Sequence, residues 1–342
     1  MTTLTLIEEE RKRAFRHNAV VHTALFAAVI TFCLLEMSLG ENRYPISVIL
    51  RVLSGEQIEG ASFVIGDLRL PRMLAGLLVG SAFGVSGAVF QSMLRNPLAS
   101  PDIIGVSSGS TAAAVFCILV LRRSGTSVSL AAIIAGIASA ALIYALSRGG
   151  KFSGGRLILV GIGVGAIFNS IVSYLLLRAN QYDVPGAMRW ISGSLNGVVK
   201  AEIMPSAVAA VILFPMILFA EKRLKIIELG EDIATALGMR ANRTRLFLVI
   251  STVCLIAIST SVTGPVAFVA FLSGPISKRM TGRGAPSLPA AALTGAALTM
   301  GSDLVGQFAF GTRFPVGVIT GIIGAPYLLF LLIKINKSGG SA

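Results

Sequence analysis

Two histidines and two acidic residues in or near the long apolar stretches of this sequence could bind protons or metal ions. His17 and His22 lie near the N-terminal edge of the first stretch, without the grouped thiolates or carboxylates that would complete a zinc site. Glu36 and Asp303 lie inside apolar stretches and far apart, whereas an ion-coupled carrier is expected to hold carboxylates together at mid-membrane. The sequence therefore predicts no catalytic residue, no metal ligand and no cofactor. For Glu36 and Asp303 it favours snorkelling at a helix end or hydrogen bonding between helices.

Glycine-rich segments, which cradle phosphate groups in many nucleotide-binding proteins, are the second candidate for chemistry. The glycines within residues 161–165 lie in an apolar stretch with no strand before them, which argues against a dinucleotide-binding fingerprint. The sequence contains no Gly-x-x-x-x-Gly-Lys-Ser/Thr motif, so a partner must hydrolyse any ATP that powers this protein. Gly76, Gly80 and Gly84 recur every fourth residue, a spacing that predicts close packing between membrane helices.

The composition indicates what surrounds these helices. Of the 342 residues, 54% are apolar and only 13% are charged, whereas soluble domains carry about 25% charged residues. Long apolar stretches recur along the whole chain, so most of the surface must face lipid. The net charge is +13, but the basic residues lie mainly in short loops between apolar stretches. That placement is typical of orientation signals and does not indicate nucleic-acid binding.

The apolar stretches predict an all-α polytopic membrane protein with about ten transmembrane helices. Residues 246–280 are too long for one crossing at a rise of about 1.5 Å per residue. We therefore predict two spans there, separated by Gly264-Pro265, with Gly274-Pro275 interrupting the second. One span in this region would give nine in total. The predicted spans are residues 19–39, 71–94, 103–121, 128–146, 157–177, 201–220, 246–263, 265–280, 288–309 and 315–333.

The distribution of basic residues predicts the orientation. With the N-terminus in the cytoplasm, 19 of the 29 Lys and Arg residues lie on the cytoplasmic side and 10 on the other, as the positive-inside rule favours. We therefore expect a multi-pass protein of the cytoplasmic (inner) membrane with both termini cytoplasmic. Its predicted parts are a cytoplasmic tail (residues 1–18), a single transmembrane domain (residues 19–335) and a second cytoplasmic tail (residues 336–342).

Two loops have patterns typical of short helices. In the outer loop, residues 40–68, the segment 44–53 predicts an amphipathic helix at the membrane interface. In the inner loop, residues 221–245, apolar, acidic and small residues alternate. There we expect two short helices, separated by Gly230 and ended by Gly238. An insert of this size between two spans favours docking on a partner over a role as a plain surface loop.

A series of motifs along the chain resembles one family of membrane proteins. Arg69-Leu-Pro-Arg72 opens the second span, Gln91-x-x-x-Arg-Asn-Pro-Leu-Ala follows it, and Gly105-x-x-x-Gly109 comes next. In these motifs the sequence resembles the permeases of bacterial ABC importers for iron–siderophore complexes, heme and vitamin B12. Within that family, the segments Phe90-Gln91-Ser92 and Ser100-Pro101-Asp102 look most like those of permeases for catecholate siderophores such as ferric enterobactin. Further motifs of that family are Arg156-Leu157, Trp190-x-x-Gly193-Ser194-Leu195, Ala234-x-x-Leu237-Gly238, Gly264-Pro265-x-x-Phe268, Pro315-Val316-Gly317 and Gly324-Ala325-Pro326.

The resemblance implies a type II ABC importer permease fold with ten spans and a set of partners. Two permease subunits, identical or paralogous, would surround a central pathway that the fifth span lines. Two cytoplasmic ATPase subunits would drive transport, and an extracytoplasmic siderophore-binding protein would deliver the cargo. Because the cargo is already chelated iron, the permease needs no metal ligand of its own.

The resemblance also implies roles for particular residues, each beside a simpler role. Arg69 and Arg72 would meet acidic residues of the binding protein, or merely anchor the second span at the lipid headgroups. Ser153-Gly154-Gly155 would form a cytoplasmic gate, or a plain turn. The inner loop would couple to the ATPase, with Ile227, Leu229, Ile233 and Leu237 as apolar anchors, or only tether two spans. The residues assigned to coupling are Glu228, Leu229, Gly230, Ala234, Leu237 and Gly238.

Three departures from the family pattern leave other functions open. Ile276 follows Pro275 where many members have His, Arg313-Phe314 precedes Pro315 where many have Glu-Leu, and Gln307 replaces an arginine of vitamin B12 permeases. A vitamin B12 or heme permease of the same family is one alternative. A secondary transporter that works without ATP is another, favoured only by the two Gly-Pro pairs. A membrane-embedded enzyme would need an acid–base pair, for which the sequence offers no candidate.

Overall fold

The computed structural model describes residues 3–147, 154–282 and 287–337. Over these ranges it consists of α-helices, with one π-helical segment (Val64–Arg69) and one 3₁₀ turn (Pro101–Ile104), so the all-α prediction is confirmed. The helices are α1 (Thr3–Ser38), α2 (Ile46–Leu53), α3 (Ala61–Phe63), α4 (Leu70–Leu94), α5 (Val106–Leu119), α6 (Thr126–Ser147), α7 (Gly154–Arg178), α8 (Val184–Ile191), α9 (Lys200–Phe219), α10 (Glu221–Glu228), α11 (Glu231–Ala236), α12 (Ala241–Thr263), α13 (Val269–Thr281), α14 (Leu288–Phe308) and α15 (Val316–Lys337).

Helices occupy the positions of all ten predicted spans in the described part of the chain. Eight helical stretches are long and apolar enough to cross a membrane. The other two are shorter, because α5 has 14 residues and α13 has 13, whereas a full crossing needs about 20. Gly264-Pro265 separates α12 from α13 as predicted. Residues 264–268, which precede α13, are not helical. The second predicted span is longer than expected, since helical structure begins at Ala61 and continues to Leu94.

Pro275 does not interrupt α13, and that prediction is wrong. The helix continues through Pro275 to Thr281. A proline lacks the N–H that would bond to the carbonyl four residues earlier, which here belongs to Phe271. Gln91 of α4 donates its side-chain Nε2 to that carbonyl at 3.0 Å. A neighbouring helix thus satisfies the backbone oxygen that Pro275 leaves free, as buried chain in a membrane requires.

The core is formed by three long helices that the others surround. In the most apolar part of the stretch from Ala61 to Leu94, 72% of the residues are buried, and the same fraction applies to α12. In α14 the fraction is 61%. The corresponding fraction is only 17% for α7 and 28% for α9 and α15. The apolar composition of these outer helices therefore serves contact with lipid or with other subunits.

Glycines bring α4 and α14 together. A Cβ atom placed on Gly80 would lie 2.6 Å from the carbonyl oxygen of Gly295, closer than real Cβ atoms approach. Gly84 meets the carbonyl of Ala291 in the same way, one turn along. The predicted close packing at this spacing is confirmed, and it occurs at the contact between α4 and α14.

The short helices of both loops form where the sequence predicts them. In the outer loop, α2 buries Ile49 beside Ile65 and leaves Ile46 and Leu50 exposed. In the inner loop, α10 and α11 are separated at Gly230, whose φ of 121° suits glycine, and the pair ends at Gly238 with φ 74°. These two glycines let the chain reverse its direction at the ends of very short helices.

Candidate functional site

Arg72 forms a buried ion pair between two core helices. Its Nε lies 2.7 Å from Oδ2 of Asp303, and a terminal nitrogen lies 2.9 Å from Oδ1. Gln307, one turn later on α14, donates to the same carboxylate at 2.7 Å. Asp303 is only 1% exposed. This two-point contact fixes the N-terminal end of α4 to α14, because a forked guanidinium–carboxylate pair constrains both distance and orientation.

Glu36 of α1 completes this cluster. It is 5% exposed, its charge interacts with those of Arg72 and Asp303, and within the described residues neither carboxyl oxygen has a hydrogen-bond partner. Snorkelling is therefore the wrong expectation for Glu36, whereas hydrogen bonding between helices is confirmed for Asp303. The sequence signal for the cluster was the scarcity of acids in apolar stretches, but nothing in the spacing paired either acid with Arg72.

Arg69 holds the segment between α1 and α2. Its guanidinium donates to the backbone oxygens of Met37 at 2.7 Å and Asn42 at 2.6 Å. It also lies 5.1 Å from the ring centre of Tyr44, within cation–π range. Both predicted docking arginines thus have partners inside the chain. Docking of a binding protein on them stays a prediction.

The predicted gate falls at the start of α7. Ser153 lies outside the described residues, while Gly154 and Gly155 are the first two residues of the helix. A Cβ on Gly154 would lie 2.9 Å from a methyl group of Leu94, at the end of α4, whereas no described residue outside α7 lies within 4 Å of a Cβ on Gly155. The gate remains a prediction, and the structure places Gly154 against the cytoplasmic end of the core as the predicted orientation defines it.

The helix α7 presents an unusual surface for an apolar span. Polar side chains lie on its exposed side, among them Asn169, Ser170, Ser173 and Tyr174. An open depression of about 460 Å³ lies along it, lined by Ala166, Ile167, Ser170, Ile171 and Tyr174. Lipid chains offer nothing for such groups to bond with, so this arrangement suits contact with water or with another subunit.

The inner loop exposes three of its four predicted anchors. The exposed fractions are 61% for Leu229, 48% for Ile233 and 64% for Leu237. Ile227 is an exception, because it is 1% exposed and belongs to the core. Ala234 is fully buried, so it supports the loop from beneath and does not itself form the outer surface.

Comparison with known proteins places this architecture in a family. Residues 27–334 match the model of the FecCD transport family.

The chain belongs to the FecCD transport family.

Relatives and solved structures agree with this assignment. FepG, the permease protein of the ferric enterobactin transport system of Escherichia coli (strain K12), is 36% identical over 292 residues, which cover 85% of this chain and 88% of FepG. YfmE, the Fe(3+)-citrate import system permease of Bacillus subtilis (strain 168), is 35% identical over 314 residues, which cover 90% of this chain and 93% of YfmE. A metal-chelate type ABC transporter solved in an inward-facing conformation matches with a TM-score of 0.82 and 26% identity, over 92% of this chain and 99% of that chain.

The FecCD assignment confirms the resemblance drawn from the motifs, and with it the type II ABC importer permease fold. The chain is a membrane transport permease of the iron–siderophore and metal-chelate class of ABC importers. The motif residue whose contact the sequence missed is Gln91. It stood in the family motif, but its contact with Phe271 depends on the packing of α4 against α13.

Proposed function

We propose that this FecCD-family chain is a permease subunit of an ATP-driven importer that moves a ferric siderophore of the catecholate type across the cytoplasmic membrane. The observation that carries the proposal is the polar, exposed face of α7, which suits a hydrated pathway between two subunits. The catecholate cargo rests on the likeness to FepG. The likeness to YfmE, a ferric citrate permease, leaves a different iron chelate as the competing outcome.

The proposed assembly contains two permeases, identical or paralogous, two cytoplasmic ATPases and an extracytoplasmic binding protein. Both termini lie in the cytoplasm, as the excess of basic residues on that side favours. In this orientation Arg69 and Arg72 lie in the outer part of the helical stretch from Ala61 to Leu94. There they would contribute to binding-protein docking through the part of each guanidinium that remains accessible. Ser153, Gly154 and Gly155 would narrow the inner end of the pathway.

The proposed coupling element is the segment of Glu228, Leu229, Gly230, Ala234, Leu237 and Gly238. Its exposed leucines would enter a cleft of the ATPase, since exposed apolar side chains at the centre of an interface supply much of its binding energy. Ala234 is buried, so Ala234→Glu would distort the loop from within. Leu237→Ala removes an exposed contact while leaving the loop intact, and is the cleaner test of docking.

The deciding experiment is growth of a deletion strain on single iron sources under iron limitation. We expect loss of growth on at least one ferric catecholate, with growth on ferric citrate retained. Loss of growth confined to ferric citrate would indicate that the cargo is ferric citrate and not a catecholate. Loss confined to cobalamin or heme would indicate that branch of the family. Unchanged use of every chelate, heme and cobalamin would refute the proposed function.

Reconstituted uptake tests the energy source. Transport should require ATP and a co-purifying ATPase. Transport driven by a proton gradient alone would indicate a secondary carrier. Against a carrier stands the position of the two intramembrane carboxylates, since Glu36 and Asp303 lie close to the ends of α1 and α14, and Asp303 is held by Arg72.

A further inference from the structure

A basic cleft lies beside the inner loop and shares Glu228 and Leu229 with it. It has a volume of about 700 Å³ and opens where the last residues of α4 meet α10 and α13. Three basic side chains line it, Arg95, Lys225 and Lys278, against one carboxylate, Glu228. We call this surface the basic cleft.

Two of these cations have no partner of their own. Lys225 is paired with Glu221 at 2.6 Å. Arg95 and Lys278 are exposed, and in the described part of the chain neither side chain forms a hydrogen bond or an ion pair. Among the side chains that the structure describes, none neutralises the positive charge of Arg95 and Lys278, which favours an anionic occupant of the cleft.

The backbone at Arg95 supports this reading. Arg95 ends α4 with φ 51°, in the left-handed region that glycine adopts most easily. Glycine would suit this position better for the backbone, but it would lose the guanidinium. That group lies within reach of the inner loop, because a Cβ placed on Gly230 would be 3.7 Å from an Arg95 nitrogen.

The edge of the cleft indicates that the occupant belongs to a protein. Leu229 lines the cleft and is 61% exposed, and the exposed Ile233 and Leu237 follow it along the inner loop. An adjoining apolar surface would contribute nothing to the binding of a small anion, whereas protein interfaces combine apolar anchors with charged groups at their rim. The volume also exceeds what one phosphate group needs.

We propose that the basic cleft receives an acidic side chain of the cytoplasmic ATPase, whose carboxylate binds between Arg95 and Lys278 while the exposed leucines pack beside it. This inference rests on the proposed function, and it adds a charged contact on α4 and α13 to the apolar contact of the inner loop. Because α4 is a core helix, the contact would link the ATPase directly to the packed centre of the permease.

The test uses the full-length chain reconstituted with the ATPase that co-purifies with it and hydrolyses ATP. The variant Arg95→Gly/Lys278→Gln removes both unpaired charges, and the glycine suits the backbone at residue 95. We expect its affinity for the ATPase to fall about tenfold and its salt dependence to become shallower. The matched control is Arg279→Gln, which removes one charge from the next residue of α13, whose electrostatic neighbour is Tyr327 on α15. Its affinity should remain near that of the parent.

Four outcomes would overturn the inference. The first is unchanged affinity and salt dependence in the double variant. The second is an equal loss in Arg279→Gln, which would indicate general surface charge. The third is binding of inorganic phosphate or of phosphatidylglycerol vesicles in the cleft while the affinity for the ATPase stays unaltered. That result would assign the cleft to a phosphate group. The fourth is a lower melting temperature of the double variant that accounts for the loss. Failure of any ATPase to bind the parent chain would instead refute the proposed function, and this inference with it.

Discussion

The helices α4 and α7 are alike in sequence and opposite in surroundings. Each has 25 residues and is rich in glycine, with four in α4 and five in α7. The stretch containing α4 is 72% buried in its most apolar part, and α7 is 17% buried. At Gly80 an added Cβ would strike the backbone of α14, whereas no atom lies within 4 Å of a Cβ added at Gly163.

The difference teaches that glycine serves two purposes in this permease. In α4 it allows helix backbones to touch, as the four-residue spacing predicts. In α7 the exposed Gly163 leaves part of the helix surface open, whereas Gly161 is buried and Gly154 meets Leu94. Four experiments test this difference between α4 and α7, in order of decreasing expected effect on stability.

The ion pair at the N-terminal end of α4 should give the largest effect. Arg72→Leu leaves the buried Asp303 with only Gln307, so the free energy of unfolding should fall by about 3–5 kcal/mol. On α7, Arg178→Leu loses only a contact 5.8 Å above the Tyr174 ring, worth about 0.5–1 kcal/mol. Denaturation in detergent measures both. Equal losses in the two variants would contradict the buried character of the Arg72 pair.

The next largest effect is expected at the glycines of α4 and α7. Gly80→Val should lower the free energy of unfolding by about 3 kcal/mol, because the side chain meets backbone atoms of α14 that cannot move aside. Gly163→Val should change it by less than about 0.5 kcal/mol, as an exposed site allows. Melting temperatures of the two purified variants decide the matter. A destabilised Gly163→Val would mean that α7 packs within its own chain.

A smaller loss is expected at the hydrogen bond that supports α13. Gln91→Leu leaves the Phe271 carbonyl unsatisfied, at a cost of about 1–3 kcal/mol. Adding Pro275→Ala should recover most of it, since alanine restores the N–H that bonds this carbonyl. The control is Ser170→Ala on α7, whose hydroxyl bonds only to Ala166 of its own helix. If the double variant does not regain the lost free energy of unfolding, Gln91 does not act by satisfying the Phe271 carbonyl.

In the last experiment we expect almost no change in stability and a clear change in transport. Ala166→Leu fills the depression on α7, and Ala138→Leu places the same side chain on the exposed side of α6. Both variants should unfold like the parent. Only Ala166→Leu should reduce uptake of the ferric chelate. Normal uptake by Ala166→Leu would argue that this face of α7 neither lines the pathway nor meets the partner permease.

Much of the architecture followed from local patterns. Apolar length predicted where every long helix lies, and glycine predicted the break between α10 and α11. The errors arose where another helix intervenes. Pro275 would end an isolated helix, but α4 supplies the donor that α13 lacks. Glu36 would snorkel on an isolated helix, but the packing of α1 buries it beside Arg72 and Asp303.

Composition, hydrophobic period and motifs were enough to give the class of protein, the places of its helices and its family, although only eight of the ten predicted spans are long enough to cross a membrane. The four-residue spacing at Gly80 predicted close helix packing, but nothing in the sequence showed that Gly163 is exposed. The packing of the helices determines which glycine is enclosed, which arginine has a carboxylate partner and which leucine of the inner loop is exposed. Such properties depend on which faces of distant helices meet. A linear pattern records the periodicity of a face, but the identity of its neighbour is set when the helices pack.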